Sequence, residues 1–271
     1  MSGYLESVLA LLAINVILAY AAFLPMATGQ LNLGVAAFVA IGAYSAAFLS
    51  NSYSVSPVVA PIAGLLTAGA IGWIVAFPVL RTRGIYLALA TFALNQVVQG
   101  AILNLDAVGG ASGYPVPAHI GFGVVAAFAV AVVALAVALF HTRFGISVTA
   151  VRDDERVADL MGLSVRGLQS AAFTAGAGLA GLAGALYAHH FNYIEAQNYG
   201  VLFSIYVVLY VLLGGTQTVY GPLLGAAVFT LLPELLRGSA AWRYVIFACL
   251  IIAIMSLRPQ GVILRKTWFS R

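Results

Sequence analysis

The stretch HTRFGISVTAVRDDERVADLMGLSVRGLQ, His141 to Gln169, holds eight of the twenty charged residues in a chain of 271 residues. Apolar stretches of roughly twenty residues, the length of a membrane-spanning helix, lie on either side of it. A connection between two such helices needs only a few residues. The length and polarity of this segment, called here the polar island (residues 141–169), therefore predict a surface that another protein binds.

The rest of the chain has the composition of a membrane protein. Hydrophobic residues make up 63% of the sequence and charged residues 7%, and the mean hydropathy is +1.04. Soluble domains carry roughly 25% charged residues, and a charged side chain at the centre of a bilayer costs about 2.5–3.5 kcal/mol. Strands of membrane barrels alternate with a period of two, whereas the apolar runs here are continuous. These features predict an all-α polytopic membrane protein.

Nine apolar segments predict a single transmembrane domain over residues 1–271, built as a bundle of about nine helices. The predicted spans are Leu5–Leu24, Leu31–Ser50, Pro57–Leu80, Ile85–Leu105, Gly121–Phe140, Ser170–His189, Leu202–Leu213, Pro222–Leu236 and Trp242–Leu257. The seventh and eighth are short, and GGTQTVYGP (214–222) separates them. Non-helical backbone at membrane depth is tolerated only inside protein or along a water-filled cavity. A re-entrant or broken helix is therefore expected there.

The basic residues predict how the bundle is oriented. If the spans alternate in direction, ten of the twelve Lys and Arg residues fall on the side of the polar island, and only Arg237 and Arg243 fall on the other. The positive-inside rule then places the polar island and the C-terminus in the cytoplasm and the N-terminus outside. Because the basic residues lie at span ends, the pI near 9.3 indicates contact with the lipid bilayer rather than with nucleic acid.

Small residues form two rows along the sixth span. The rows are Gly176, Ala180, Gly184 and Ala188, and beside them Ala177, Gly181 and Ala185. Small side chains let helix backbones approach closely, which drives packing where lipid supplies no hydrophobic force. This helix is therefore predicted to be central to the bundle.

The chain lacks the motifs of a nucleotide-dependent or metal-dependent enzyme. Its only lysine, Lys266, is not preceded by GxxxxGK[ST], so no P-loop is predicted. The four histidines fit no common zinc spacing, and the single cysteine, Cys249, excludes an intrachain disulfide. We therefore predict no enzymatic activity, no catalytic residue, no metal and no cofactor bound by this chain.

Uncharged polar side chains are the candidates for a solute path. Carboxylates outside the polar island fall at or near span ends, which argues against the buried charge of an ion-coupled transporter. On the fourth span, Asn95, Gln96 and Gln99 lie on one broad face and are expected to line a path, with hydrogen bonding between helices as the alternative. The full predicted path set is Gln30, Asn32, Tyr44, Thr91, Asn95, Gln96 and Gln99.

Within the polar island, TAVRDDERVADLMGL (Thr149–Leu163) predicts a short amphipathic helix. Its three consecutive carboxylates complement the positive end of a helix dipole, and Gly162 is a C-terminal stop. With neither a nucleotide site nor a coupling charge, energy for transport has to come from a partner acting on this helix. The alternative is a solvated loop helix without a partner.

The sequence resembles the permease subunits of branched-chain amino acid ABC importers, the LivM-like permeases, through nearly its whole length. The similar segments are TGQLNLGVAAFVAIGAYSAA (Thr28–Ala47), LRTRGIYLALATFA (Leu80–Ala93), VGGASG (Val108–Gly113), the island segment AVRDDERVADLMGL, LLGGTQTVYGPLLGAAVFTLLPELL (Leu212–Leu236) and RPQG (Arg258–Gly261). Their order also agrees. One motif departs: many such permeases carry Glu-Ala-Ala with Gly six residues after the Glu, whereas here Arg156 lies six residues before Gly162 and Glu155 seven.

The resemblance implies an assembly in the bacterial inner membrane. Its partners are a second homologous permease subunit, two ATPase subunits that bind ATP and Mg²⁺, and a periplasmic solute-binding protein. ATP would close the ATPase dimer, pull the docked helix inward and switch the bundle between its two open sides, with the polar residues in contact and Val151, Ala158 and Met161 packed in the ATPase cleft. The implied coupling residues are Val151, Arg152, Asp153, Asp154, Glu155, Arg156, Ala158, Asp159, Met161 and Gly162.

The resemblance also limits the solute. It implies branched-chain or other hydrophobic amino acids, with urea, amides and aromatic acids as alternatives within related permeases. Two functions of other classes stay open on the sequence alone: a stand-alone secondary transporter or channel, and a membrane scaffold that recruits a cytoplasmic protein through residues 149–163.

Overall fold

The structure is a computed structural model in which residues 2–236 are described, together with residues 245, 246, 248, 249, 252 and 256. Its continuous part is almost wholly helical. The helices are α1 (Ser2–Ala27), α2 (Val35–Tyr53), α3 (Ala60–Val79), α4 (Ile85–Leu103), α5 (Phe122–Phe140), α6 (Arg143–Asp153), α7 (Glu155–Leu160), α8 (Val165–Phe191), α9 (Val201–Gly214) and α10 (Gly221–Leu235).

Six helices in the described part, α1–α5 and α8, are long and apolar enough to cross a membrane. They coincide with the first six predicted spans, and the shorter α9 and α10 coincide with the seventh and eighth. The ninth predicted span, Trp242–Leu257, lies outside the described residues apart from isolated positions. The prediction of an all-α polytopic membrane protein is confirmed, and the number nine stays a prediction.

Helix α8 is the centre of the bundle, as its small residues predicted. It packs against α1, α2 and α3 along most of its length. A Cβ atom added to Gly181 would overlap the Cβ of Ala68, and one added to Gly184 would overlap the carbonyl oxygen of Val39. The helix backbones are thus in direct contact, which side chains larger than a hydrogen or a methyl group would prevent.

The connection between α1 and α2 is non-helical, and side chains from other helices satisfy its backbone. The amide of Leu33 donates a 3.0 Å hydrogen bond to Thr91 Oγ1 of α4. The amide of Ala36, in the first turn of α2, donates a 2.9 Å bond to Ser204 Oγ of α9. The predicted start of the second span at Leu31 was therefore wrong: α2 begins four residues later. These side-chain acceptors let the backbone stay irregular inside the protein.

Helices α9 and α10 form a tight hairpin. They contain 14 and 15 residues, so each is about 20 Å long and shorter than the roughly 30 Å of a bilayer core. Their backbones touch, because a Cβ atom on Gly225 would overlap the carbonyl oxygen of Tyr210. The predicted break in the helix therefore lies at residues 215–220, which connect the two helices.

Helix α10 runs antiparallel beside α1. Three hydrogen bonds mark this course in order: Tyr20 to Val219, Asn15 to Thr230, and Tyr4 to Glu234. Because Tyr20 lies seven residues before the end of α1, the α9–α10 turn sits about 10 Å short of that end. The turn is therefore packed beside α1 rather than beyond its end, with Gly215 and Val219 buried and Thr216 half-buried.

The polar island folds as two helices, α6 and α7, rather than as the single helix predicted over Thr149–Leu163. The chain breaks at Asp154, which has extended backbone (φ −156°) and accepts hydrogen bonds from the amides of Arg156 (2.8 Å) and Val157 (3.1 Å). An aspartate that caps a helix in this way ends the preceding one. Gly162, with φ 82°, terminates α7 as predicted.

A short two-stranded pair covers the end of the bundle opposite the polar island. Strand β1 (Tyr114–Pro115) pairs antiparallel with β2 (Tyr193–Ile194). The hydroxyl of Tyr193 donates a 2.7 Å hydrogen bond to the carbonyl oxygen of Ser112. The connection between α4 and α5 is thereby fixed against the segment that follows α8.

Candidate translocation site and coupling surface

Three buried polar residues meet in the middle of the bundle. Tyr44 and Asn95 lie near the centres of the 19-residue helices α2 and α4, and Tyr199 ends the single-turn helix before α9. The rings of Tyr44 and Tyr199 are 6.4 Å apart between centroids. Asn95 Nδ2 donates a 3.4 Å hydrogen bond to the carbonyl oxygen of Tyr199. We call these three residues the buried polar centre.

The polar atoms of this centre are not all satisfied. The hydroxyls of Tyr44 and Tyr199 and Oδ1 of Asn95 are inaccessible to solvent and have no hydrogen-bond partner within the described part of the chain. Both amide atoms of Gln30 share this condition. An unsatisfied buried polar group lowers the stability of a folded protein by about 1–3 kcal/mol. Such groups are therefore rare in native structures, and where they occur they often have a functional role. A neutral or zwitterionic polar ligand would supply the missing partners.

A cavity of about 370 Å³ borders the buried polar centre and lies between α1, α2, α8 and α9. Tyr199 lines both. Its walls combine apolar and uncharged polar side chains: Leu11, Ile14, Leu18, Val39, Phe203, Asn15, Tyr187, Asn198, Tyr199 and Tyr210. Mixed lining of this kind, mostly apolar with a few polar groups, is typical of small-molecule sites.

Four other residues of the predicted path set have different environments. Thr91, Asn32 and Gln99 hydrogen-bond to nearby backbone, through Leu33 N, Gly34 N and the carbonyl oxygen of Ala196 respectively. These three side chains therefore hold the protein's own backbone, Thr91 and Gln99 across to other segments and Asn32 within its own loop, and their part in a solute path stays a prediction. Gln96 is exposed on the outside of α4. It therefore has a different environment from Asn95, since consecutive helical residues point about 100° apart, and its place along a path stays a prediction.

Of the tyrosines of the site, sequence reasoning predicted Tyr44 but missed three others. Tyr187, Tyr199 and Tyr210 line the cavity, but a tyrosine inside an apolar segment gives no sign of which way it points. Tyr199 had one available signal. It precedes Gly200 at the start of a short span, the kind of interruption that marks binding sites in discontinuous helices.

At the polar island, the exposed apolar surface differs from the one predicted. Val151 and Ala158 are buried against their own chain at 0% and 1% exposure. Their predicted packing in a partner's cleft was therefore wrong for this structure. Leu160 and Met161 are instead 88% and 78% exposed, and Val157 is half exposed. These three residues of α7 and its end form an uncovered apolar patch, called here the α7 patch.

Charged residues surround the α7 patch, but two of the predicted contact residues have partners in their own chain. Asp154 caps α7, as described above. Glu155 Oε1 accepts a 2.8 Å hydrogen bond from Gln169 Nε2 of α8, and its other oxygen lies 3.8 Å from Arg83 NH1. Arg156 and Asp159 remain exposed. The outward surface of α7 is thus apolar at its tip and charged at its sides.

The neighbouring end of α6 is tied into the bundle through Arg152. Its guanidinium contacts Asp153 Oδ1 at 3.2 Å and donates a 3.0 Å hydrogen bond to the carbonyl oxygen of Thr216 in the α9–α10 turn. The Arg152 side chain is only 19% exposed. Among the described residues, no cluster of three His, Cys, Asp or Glu side chains could hold a metal ion.

Comparison with known proteins identifies related sequences. Residues 4–255 match the family described as branched-chain amino acid transport system / permease component. The high-affinity branched-chain amino acid transport system permease protein LivM of Escherichia coli (strain K12) is 31% identical, over 87% of this chain and 64% of that protein. The protein of the same name in Salmonella typhimurium is 30% identical with the same coverage.

A third relative has a different solute in its name. The fructose import permease protein FruG of Bifidobacterium longum is 27% identical, over 94% of this chain and 82% of that protein. The chain spans only 64% of the length of the two LivM proteins. No solved structure matches the chain.

Proposed function

Since this chain belongs to the family of branched-chain amino acid transport permease components, we propose that it is the transmembrane subunit of an ATP-driven importer for branched-chain or other hydrophobic amino acids. The observation that carries this proposal is the buried polar centre of Tyr44, Asn95 and Tyr199. It contains three unsatisfied polar atoms, and through Tyr199 it adjoins a cavity lined by both apolar and uncharged polar groups.

The chemistry of this cavity suits a zwitterion with an apolar side chain. Oδ1 of Asn95 would accept a hydrogen bond from the ammonium group, and the hydroxyls of Tyr44 and Tyr199 would donate hydrogen bonds to the carboxylate. The leucine, isoleucine and valine walls would take the side chain. Uncharged donors and acceptors would hold the solute loosely enough for release. A sugar could use the same hydroxyls, and a fructose permease is among the relatives, so fructose is the second candidate solute.

The energy would come from ATPase subunits docked on the α7 patch. Val157, Leu160 and Met161 are exposed although apolar, and an exposed apolar patch rimmed by charges is typical of a protein interface. Arg156, Asp159 and Asp153 would supply its polar rim. Because the sequence has no P-loop, ATP and Mg²⁺ would bind to those partners.

Movement of the docked island would reach the solute site through two connections. Arg152 links α6 to the α9–α10 turn, and Glu155 links α7 to α8. The complete assembly would contain a second homologous permease, two ATPase subunits and a periplasmic solute-binding protein in the bacterial inner membrane, with the polar island cytoplasmic and the N-terminus outside. Alternating access would follow from rocking of the bundle around the buried polar centre.

The test is uptake into proteoliposomes that contain the chain with its partner subunits. We expect ATP-dependent uptake of leucine that exceeds uptake of fructose, urea or an aromatic acid. Leu160→Asp should abolish both uptake and solute-stimulated ATP hydrolysis, because it places a charge in the apolar contact. Tyr199→Phe should lower uptake while leaving ATPase binding unchanged.

Gln96→Leu is the matched control for the solute site, since Gln96 lies on the same helix as Asn95 but is exposed. It should leave uptake unchanged. Uptake by the chain alone, without ATP or partners, would instead favour the stand-alone transporter. ATPase binding to the α7 patch without any solute dependence would favour the scaffold.

A further inference from the structure

Arginines cluster on the side of the bundle that carries the polar island. Arg81, Arg83, Arg156 and Arg166 line a crevice of about 430 Å³ together with two carboxylates, Glu155 and Asp159. Arg83 and Glu155 approach to 3.8 Å. In the described part of the chain, Arg81 and Arg166 have no carboxylate within 4 Å. The crevice therefore has an excess of positive charge that the protein itself does not neutralise.

Arg81 and Arg166 face each other across a seam between the end of α3 and the start of α8. They share a cavity of about 240 Å³ that continues along this seam to Phe77, Gly167 and Ser170. The first turn of α8 contains no acidic residue, and no side chain caps its free amides. The positive end of this 27-residue helix dipole therefore adds to the two guanidinium charges.

An apolar groove lies one helical turn further along the same two helices. On α3 the sequence spacing of three or four residues joins Arg81 and Phe77 to Trp73, Ala70 and Leu66. The groove has a volume of about 560 Å³, and leucines of α5 form its far wall. Its floor consists of the small residues Gly69, Ala70, Ala175 and Gly178. From Arg81 to Leu66 the distance along α3 is about 22 Å. The cavity and the groove together are therefore long enough to follow an acyl chain across one leaflet, whose hydrocarbon layer is roughly 15 Å thick.

We propose that this seam is a binding site for an anionic phospholipid. The phosphate lies between the guanidinium groups of Arg81 and Arg166, and one acyl chain lies in the groove beside Trp73. Charge complementarity selects an anionic over a zwitterionic headgroup. An apolar groove one helical turn from the charged cavity, on the same two helices, selects a lipid over a soluble anion or an acidic protein segment. Trp73 and Phe77 are 66% and 76% exposed, so the groove is open to the bilayer.

Tryptophan quenching by brominated lipids tests this site in the full-length chain. Substituting Trp242→Phe and Trp268→Phe leaves Trp73 as the only tryptophan. Vesicles of phosphatidylcholine would contain either brominated phosphatidylglycerol or brominated phosphatidylcholine at equal mole fractions. We expect brominated phosphatidylglycerol to associate with the Trp73 site about fivefold more strongly than brominated phosphatidylcholine.

Arg81→Gln/Arg166→Gln should reduce this preference to about onefold, since the charge complementarity is lost. Arg143→Gln, on the same side of the bundle but outside both the crevice and the seam, should keep most of it. Quenching by brominated phosphatidylcholine reports folding of the arginine variants, because loss of these charges should leave it unchanged. Ala70→Leu/Ala175→Leu, which fills the groove, should reduce quenching by both lipids.

Two results would overturn the site: equal quenching by both lipids in the unsubstituted seam, or a preference that survives loss of both seam arginines. If the double variant does not fold, the salt dependence of the unsubstituted seam decides. The preference should weaken when NaCl is raised from roughly 0.05 to 0.5 M, since screening shortens the range of the arginine charges. A preference that salt leaves unchanged would contradict recognition of the phosphate by Arg81 and Arg166.

Discussion

The guanidinium of Arg152 donates a 3.0 Å hydrogen bond to the carbonyl oxygen of Thr216. Arg152 lies on α6 in the polar island, and Thr216 lies in the turn between α9 and α10. Tyr20 of α1 holds the same turn through the carbonyl oxygen of Val219, at 2.8 Å. A displacement of the polar island would therefore act directly on a broken hairpin inside the bundle rather than only on its rim.

Replacing Arg152 with glutamine should uncouple the island from the hairpin. We expect the free energy of unfolding to fall by about 1–2 kcal/mol, because a charged donor to a buried carbonyl is lost. ATP-driven uptake should fall further than stability alone explains, with ATPase binding retained. Arg143→Gln, an exposed arginine on the same helix, is the control and should change neither. Normal uptake by the Arg152→Gln variant would exclude this connection from the transport cycle.

Removing the hydroxyl of Tyr44 should lower solute uptake without lowering the stability of the fold. Tyr44→Phe eliminates a buried polar atom without a hydrogen-bond partner, so the free energy of unfolding should stay level or rise by up to about 1 kcal/mol. Uptake should nevertheless fall, since the solute loses a contact. Thermal unfolding and uptake measured on the same preparation provide the comparison.

The contrasting substitution at Thr91 removes a satisfied hydroxyl. Thr91 Oγ1 accepts from Leu33 N, so Thr91→Val should destabilise the chain by about 1–3 kcal/mol because that amide is left unpaired. If Tyr44→Phe destabilises the protein as much as Thr91→Val does, the hydroxyl of Tyr44 has an internal partner and the proposed solute site loses its basis.

Truncations in the polar island should distinguish its buried face from its outer face. Leu160→Ala should change the free energy of unfolding by less than about 0.5 kcal/mol, because Leu160 is almost fully exposed. Val151→Ala should cost about 2 kcal/mol, because two buried methyl groups are removed. ATPase binding should respond in the opposite way, falling for Leu160→Ala and changing little for Val151→Ala. The reverse order would mean that Val151 faces the partner.

A methyl group at the centre of α8 should disrupt the bundle. Gly181→Ala would place its Cβ against Ala68 and the backbone of Gly64, and overpacking of this kind typically costs about 1–3 kcal/mol. Gly100→Ala is the control, because nothing lies within 4 Å of the added atom; it should stabilise α4 by up to about 1 kcal/mol. Denaturant titrations of both variants would reveal the difference, and equal stabilities would show that α2, α3 and α8 are not closely packed.

Much of the fold could be predicted because its signals are local. Length and apolarity predicted eight helices that the described residues contain, and the small residues of the sixth span predicted its central place. Gly162 likewise ends α7 because a glycine tolerates the φ of 82° found there. The single helix predicted over Thr149–Leu163 failed at Asp154. An aspartate is favourable in the first turn of a helix, but it can also act as the N-cap of a new helix. The sequence does not indicate which of these two roles Asp154 has.

The sequence by itself determined that this chain is an α-helical membrane protein with one large polar segment, because hydrophobicity and helix termination depend on residues close together in the chain. The tertiary structure alone decided which side chains face inward. Asn95 and Gln96 are neighbours with similar chemistry, yet one is buried beside Tyr199 and the other is exposed. Val157 and Ala158 are also neighbours, and the first is exposed while the second is buried. Helix rotation fixes these directions. For α4 it follows from packing against α2 and α9, which are far away in the sequence, and for α7 from packing against its neighbours α6 and α8.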